Sequence, residues 1–278
     1  MRIDGNVRLL AHLGFPTHSF KAPLIYNPYF EAAGINALVV PMGCRAEHFA
    51  AVLRSFFLLE NALGALVTMP HKVSVVGLLD EVTPAVKVAG ACNAVRRDAA
   101  GRLVGDQFDG AGFVRGVERK GLALRGAKAL VVGCGGVGSA IAAALAGAGV
   151  GKLALFDVRG EAMGALAGRL REHYPQVAAT TGSNDPAGFD LVVNCTPLGM
   201  EAGDALPFDT DRLDARTFVG EVVMRTELTP LLRAARERGC RVQVGTDMLF
   251  EMIPPYLEFF GLPSTAPERL RELARLEA

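Results

Sequence analysis

The chain has 278 residues, half of them hydrophobic, with Lys+Arg and Asp+Glu balanced at 29 each. That length suits one or two domains, and the neutral balance argues against nucleic acid or an anionic membrane as partner. No stretch reaches the ~18 uninterrupted apolar residues of a membrane span, and no signal pattern opens the chain, so a cytoplasmic location is expected.

In chain order, residues 7–13 alternate loosely in hydropathy and stop at Gly14, which predicts a first strand. A loop with Pro16 and Pro23 leads to a helix over 24–33 and a second strand over 37–41. Phe49, Val52, Phe56 and Leu59 share one face of a helix expected over 48–62. A third strand over 64–68 precedes His71 and Lys72, a helix over 72–79 and a shorter one over 83–87. Residues 91–96 and 103–106 flank the turn from Asp98 to Gly101, a hairpin signal. A further helix opens at Asp109 and ends near Lys120.

Next, Leu130, Val131 and Val132 form an apolar run of the kind a buried parallel strand needs. Gly133, Gly135, Gly136 and Gly138 follow, then an Ala-rich helical run over 140–146. Strand, glycine turn and helix let a pyrophosphate approach the backbone and sit at a helix N-terminus. Side chains at positions 133 and 135 would block that approach, and Gly138 lets the helix pack close to the strand. Residues 150–156 read as the next strand, with Asp157 at its carboxyl end. A carboxylate there accepts hydrogen bonds from ribose hydroxyls and repels a 2′-phosphate. NAD is therefore the expected cofactor, ahead of NADP, with Arg159 the one nearby side chain placed to swing onto such a phosphate.

Later strands are expected over 190–194, 217–223 and 240–245, with a short one near Val177 inside the polar stretch 169–185. A helix over 229–238 separates the last two. A long helical stretch over 247–260 is interrupted at Pro254 and Pro255, and a charged helix over 267–276 ends the chain. Strands alternating with helices before and after the glycine turn predict two α/β domains. The five cysteines are scattered, without metal-ligand spacing, and read as small buried residues in a reducing compartment, so no metal is expected.

Three segments then matter together: Thr68-Met-Pro-His-Lys72, Gly90-Ala-Cys-Asn-Ala-Val95 and Gly105-Asp-Gln-Phe-Asp-Gly110. With the glycine turn, Asn194-Cys-Thr-Pro-Leu-Gly-Met200, Leu228-Thr-Pro-Leu-Leu232 and Gly245-Thr-Asp-Met-Leu249, they resemble the shikimate/quinate dehydrogenase family over nearly the whole chain. The resemblance implies a substrate domain over 1–109, completed by 245–278, and a Rossmann-type dinucleotide domain over 110–244. It implies Lys72 and Asp109 as the catalytic pair, with Thr68 and Asn93 as substrate contacts. Those types suit the chemistry: an ammonium can give a proton to a developing alkoxide, and a carboxylate can position it. His71 is read as a structural neighbour rather than the base. The implied cofactor contacts are Gly133, Gly135, Gly136, Val137, Gly138, Asp157, Arg159, Thr196, Pro197, Val223, Gly245 and Met248.

The departures from the family pattern fall in the substrate pocket. The first loop of the family reads G-x-P-x-x-H-S-x-S-P, its two serines holding a carboxylate; here Phe20 and Ala22 stand in their places. Ser19, shifted by one, and Lys21 are alternative anchors. Gln107 and Phe108 replace Asn and Thr, Met224 replaces a common Tyr, and Met252 replaces a Gln. The leading expectation is an NAD-dependent alcohol dehydrogenase acting on a cyclic hydroxy acid other than shikimate, as a monomer or homodimer with no partner beyond its small-molecule substrate. The alternatives are a genuine shikimate or quinate dehydrogenase, reducing 3-dehydroshikimate, and a non-catalytic dinucleotide or metabolite sensor.

Overall fold

A computed structural model describes residues 3–276. The elements in order are β1 (Arg8–Gly14), α1 (Pro23–Ala32), β2 (Ala37–Gly43), α2 (Phe49–Phe56), β3 (Ala62–Val67), β4 (Glu81–Val82), α3 (Pro84–Ala89), β5 (Ala94–Arg97), β6 (Leu103–Asp106) and α4 (Asp109–Arg119). There follow β7 (Lys128–Val132), α5 (Gly136–Gly147), β8 (Lys152–Phe156), α6 (Gly160–His173), β9 (Ala178–Thr181), β10 (Leu191–Asn194), β11 (Phe218–Glu221), α7 (Pro230–Glu237), β12 (Arg241–Gln243), α8 (Gly245–Phe259) and α9 (Pro267–Leu273). The chain divides into two units. One holds Met1–Val86, Ala91–Phe108 and Ile253–Ala278; the other holds Lys87–Gly90 and Asp109–Met252.

The first unit carries a mixed six-stranded sheet in the order β2-β1-β3-β5-β6-β4. β1 runs parallel to β2 and β3, while β5 runs antiparallel to both β3 and β6. Side chains alternate across a sheet. Ala11, Leu13, Ala65 and Val67 accordingly share a core with Phe49, Leu53 and Phe56 of α2. Asp98 shapes the β5–β6 hairpin by accepting the Ala100 and Arg102 N–H groups. The C-terminal segment closes on α1: the Arg275 N–H donates to the Leu24 carbonyl and the Tyr29 hydroxyl to the Pro263 carbonyl.

The second unit is a parallel six-stranded sheet in the order β12-β11-β10-β7-β8-β9. Its order reverses between β7 and β10, the switch point at which open α/β sheets take ligands beyond the strand carboxyl ends. Leu130, Val132, Val192 and Val219 pack with Leu231, Leu232 and Ala235 of α7. Gly110 of α4 lies against the Ala144 side chain of α5, where an added Cβ would come within 2.8 Å.

Three local expectations need correction, and one helix has no counterpart among them. The helix expected over 48–62 ends at Phe56, and β3 begins at Ala62 after a turn that leaves Leu58 78% exposed. The helix expected over 72–79 is a short 3₁₀ turn over Ser74–Leu78, so Lys72 stands on a bend rather than a helix. The hydropathy pattern does not mark α6. Gly160, Gly164 and Gly168 fall four residues apart on its open face, where an added Cβ would touch nothing, while Leu166, Ala167 and Leu170 are buried. That glycine row dilutes propensity and hydropathy alike. Finally, α8 runs unbroken through Pro254 and Pro255. Each proline removes one helix hydrogen bond, but the buried neighbours Ile253, Tyr256 and Leu257 hold the segment helical.

Candidate active site

In the first unit, backbone hydrogen bonds draw distant segments together at one end of the central strands. The Thr68 N–H donates to the Leu13 carbonyl at 2.9 Å, Phe15 N–H to Met69 at 2.9 Å, and Cys92 N–H to Lys72 at 2.8 Å. The β1 end, the bend after β3 and the start of β5 therefore lie side by side. Gly14 permits the close approach: a Cβ there would come within 2.7 Å of the Met69 carbonyl and 2.9 Å of the Phe20 ring, and would overlap the Thr68 methyl. Phe20 lies over His12, ring centroids 4.1 Å apart. Thr68, Lys72, Phe20 and Phe108 are half-buried, and Ala22 is buried at the start of α1.

Asn93 is fully buried. Its Oδ1 accepts the Phe108 N–H at 3.0 Å, and its carbonyl accepts the Tyr256 hydroxyl at 3.2 Å. Its Nδ2 has no partner. Phe108 packs on Tyr256 and Phe259, with centroids at 4.8 and 5.7 Å. His71 is buried, stacked on Phe49 at 4.0 Å and bonded through Nε2 to the Cys44 carbonyl at 2.8 Å. Among the described residues no side chain bonds to Ser19 or Lys21.

Nothing in the local pattern of β1 marks His12, one polar residue in an apolar strand. The residue is 9% exposed, and its Nδ1 is buried without a partner. Burial, then the Lys72 charge, pushes its pKa down to about 3, so the ring is neutral. Burial likewise pushes the Cys92 thiol up to about 12.

In the second unit, Gly133 takes a φ of +101° and brings its Cα side within 2.9 Å of the Thr196 N–H, had it a Cβ. A Cβ on Gly138 would overlap the Gly133 carbonyl. Gly136, Val137 and Gly138 form the first turn of α5, whose opening N–H groups and dipole favour an anion. Thr196 donates through both its N–H and its hydroxyl to Asn194 Oδ1, at 3.0 and 2.7 Å. Asn194 in turn donates to Glu221 Oε1 at 2.9 Å, and the Thr229 hydroxyl donates to Glu221 Oε2. This fully buried carboxylate organises the loop carrying Thr196 and Pro197; burial raises its pKa, against the two donors. Val223 and Gly245 touch, since a Cβ on Gly245 would overlap the Val223 carbonyl, and Met248 is buried. Asp109 is buried at the start of α4, and Met252 lies against Gly112 of the same helix.

The turn after β8 is built differently from its expectation. Asp157 accepts the Cys134 N–H at 2.6 Å and the Arg159 N–H at 2.8 Å. The Arg159 guanidinium adds two bonds at 3.3 Å. Burial alone would raise the Asp157 carboxyl, but Arg159 and the two N–H groups hold it below the usual carboxylate range. Its side chain is only 6% exposed, whereas that of Arg159 is 66% exposed. The guanidinium also lies 3.6 Å from the point a Gly135 Cβ would occupy. The charge this turn presents outward is positive.

Two family models match the chain: the shikimate dehydrogenase substrate binding domain over residues 13–95 and the ThiF family over 113–158. A shikimate dehydrogenase (NADP(+)) of Rubrobacter xylanophilus is 36% identical over 258 residues, covering 89% of this chain and 88% of that one. The enzyme of the same name from Symbiobacterium thermophilum is also 36% identical, covering 88% and 86%. Among solved structures, quinate dehydrogenase from Corynebacterium glutamicum in complex with NAD is 32% identical, with a TM-score of 0.85 over 96% of this chain and 98% of that one. The NADP(+) names overturn the expectation of NAD as cofactor. The physical reason lies in the turn: the Asp157 carboxylate is already engaged by the backbone and by Arg159, so it is not a bare charge facing the ribose.

Proposed function

The chain belongs to the shikimate dehydrogenase family, and we propose that it is an NADP-linked dehydrogenase interconverting shikimate and 3-dehydroshikimate, with quinate as a second substrate. The observation that carries the reading is the proximity of Lys72 and Asn93 at the end of the central strands. The Cys92–Lys72 backbone bond sets the two residues side by side, and the buried Asn93 Nδ2 has no protein partner. A buried amide left unsatisfied costs ~1–3 kcal/mol, which a ligand oxygen would recover.

The residues of the second unit fit a phosphorylated dinucleotide: a glycine cradle that side chains would fill, a helix N-terminus, and an exposed guanidinium over the turn. Gly133 to Gly138 and Thr196 would hold the pyrophosphate region and Arg159 a 2′-phosphate. The bound nicotinamide supplies the hydride acceptor or donor. Asn93 and Thr68 hydrogen-bond the substrate oxygens and orient the ring. Lys72 Nζ takes the hydroxyl proton on oxidation or gives one to the oxygen on reduction. Asp109 is the second member of the proposed catalytic pair, a buried carboxylate at the start of α4. The apolar Phe108, Tyr256 and Phe259 exclude water from the Asn93 side.

The test is initial-rate oxidation of shikimate and quinate with NADP⁺, followed by the absorbance of the reduced nicotinamide. Saturable turnover that falls ~10²-fold or more on Lys72→Ala agrees with the proposal. Binding of dinucleotide without turnover of any cyclic hydroxy acid would favour a sensor instead.

A further inference from the structure

The substrate pocket lacks the two serine hydroxyls that the family pattern places in the first loop, yet the strand leading into that loop carries a polar group the pattern does not mention. His12 is nine-tenths buried, and no described residue bonds to its imidazole. It is not a remote core histidine. Phe20, at the first serine position, lies face to face with it at 4.1 Å. Lys72 is near enough to act on its charge. In the sheet register His12 pairs with Leu66, and Leu66 with Ala94. Asn93, the residue before Ala94, thus lies one intervening strand from β1, about 10 Å across the sheet. β1 and the start of β5, on either side of the strand that leads into the bend of Lys72, therefore each bring a buried polar residue with an unsatisfied nitrogen.

An unsatisfied buried nitrogen destabilises the free protein. The neutral ring keeps one N–H donor, and a donor without positive charge can stand close to the Lys72 ammonium without repelling it. The family pattern places the carboxylate at the first loop, where Phe20 and Ala22 offer no donor.

We infer that His12 is a specificity-determining residue, donating a hydrogen bond to the carboxylate of the bound cyclic acid in place of the missing serine hydroxyls. The inference rests on the proposed function for its substrate class. It also makes Phe20 the platform that fixes the imidazole plane, so the two residues act as one recognition element.

The experiment compares the wild type with His12→Val and His12→Asn, using shikimate and its analogue lacking the carboxylate, both with NADP⁺. His12→Val is expected to raise KM for shikimate at least about tenfold, with kcat changed less than about threefold, and to leave KM for the analogue unchanged. His12→Asn, which keeps a short N–H donor, is expected to recover part of the loss. The thermal midpoint of His12→Val is expected to hold or rise, because an unpaired buried polar group is gone. A KM for shikimate within about twofold of wild type, or equal losses on both substrates, overturns the inference. If the wild type turns over no cyclic hydroxy acid, the functional reading fails on its own. Calorimetric binding of cyclohexanecarboxylate then decides: weaker binding to His12→Val supports the role of His12, and equal binding overturns it.

Discussion

Replacing Arg159 by Ala should convert the cofactor turn from a phosphate acceptor into a phosphate repeller. In the wild type the guanidinium is bonded to Asp157 at 3.3 Å twice and is 66% exposed. A hydrogen bond to a charged partner contributes ~1.5–3 kcal/mol, and exposure with competition from Asp157 places Arg159 at the low end. Losing that contact alone predicts about 1.5 kcal/mol, a little over tenfold in Kd for NADPH. The substitution also uncovers the Asp157 carboxylate, whose charge then faces the 2′-phosphate, adding up to ~1 kcal/mol. The combined loss for NADPH is thus about 10- to 50-fold, with NADH changed by less than about threefold. Fluorescence titration of both reduced dinucleotides measures this directly, and raising the salt should narrow the difference. Equal losses for NADPH and NADH, or none for either, would refute the assignment of Arg159 to the 2′-phosphate.

Lys72→Ala should lower kcat by ~10²–10⁴-fold with the Kd for NADPH unchanged; stopped-flow and titration together check it, and a retained kcat would remove Lys72 from the proton transfer. Thr229→Ala should destabilise the fold by ~1–3 kcal/mol through an unpaired Glu221 oxygen, plus ~1 kcal/mol for the lost cap of α7. Glu221 has a raised folded-state pKa, so its contribution is present below the unfolded value and is lost as pH rises through the folded one. Deleting a donor raises that pKa further, so urea unfolding should show a larger deficit at about pH 7 than at about pH 4; a deficit independent of pH would contradict the role of the carboxylate. Gly164→Ala, on the open face of α6, should stabilise by ~0.5–1 kcal/mol in the same assay, with no change in dinucleotide binding.

The dinucleotide unit was legible because its residues carry both strand hydropathy and a stereochemical demand. Gly133 and Gly138 sit where a Cβ would strike backbone, so their identity announces their geometry. Asp157 was legible as a position but not as a charge. A carboxylate at a strand end reads as a ribose acceptor until the backbone N–H of Cys134 and the guanidinium two residues on are seen to occupy it. α6 was hidden because its glycines are harmless only on a face whose exposure a sequence does not state. The continuity of α8 through two prolines depends on burial of Ile253, Tyr256 and Leu257, a tertiary effect that overrides a strong local rule. In the first unit, ordered motifs placed Thr68, Lys72 and Asn93, but His12 is visible only through register. A histidine in an apolar strand acquires meaning when Phe20 is found stacked on it and its nitrogen is left without a partner.

The central claim is direct hydride transfer between a shikimate ring carbon and NADP, and isotope transfer tests it most directly. Shikimate deuterated at the carbon that becomes the ketone is incubated with the enzyme and NADP⁺, and the reduced dinucleotide is analysed by mass spectrometry. The account predicts one deuterium in NADPH, formed faster than labelled NADH under matched conditions and nearly absent with Lys72→Ala. Unlabelled NADPH, or no reduced dinucleotide from shikimate at any concentration of NADP⁺, would contradict it.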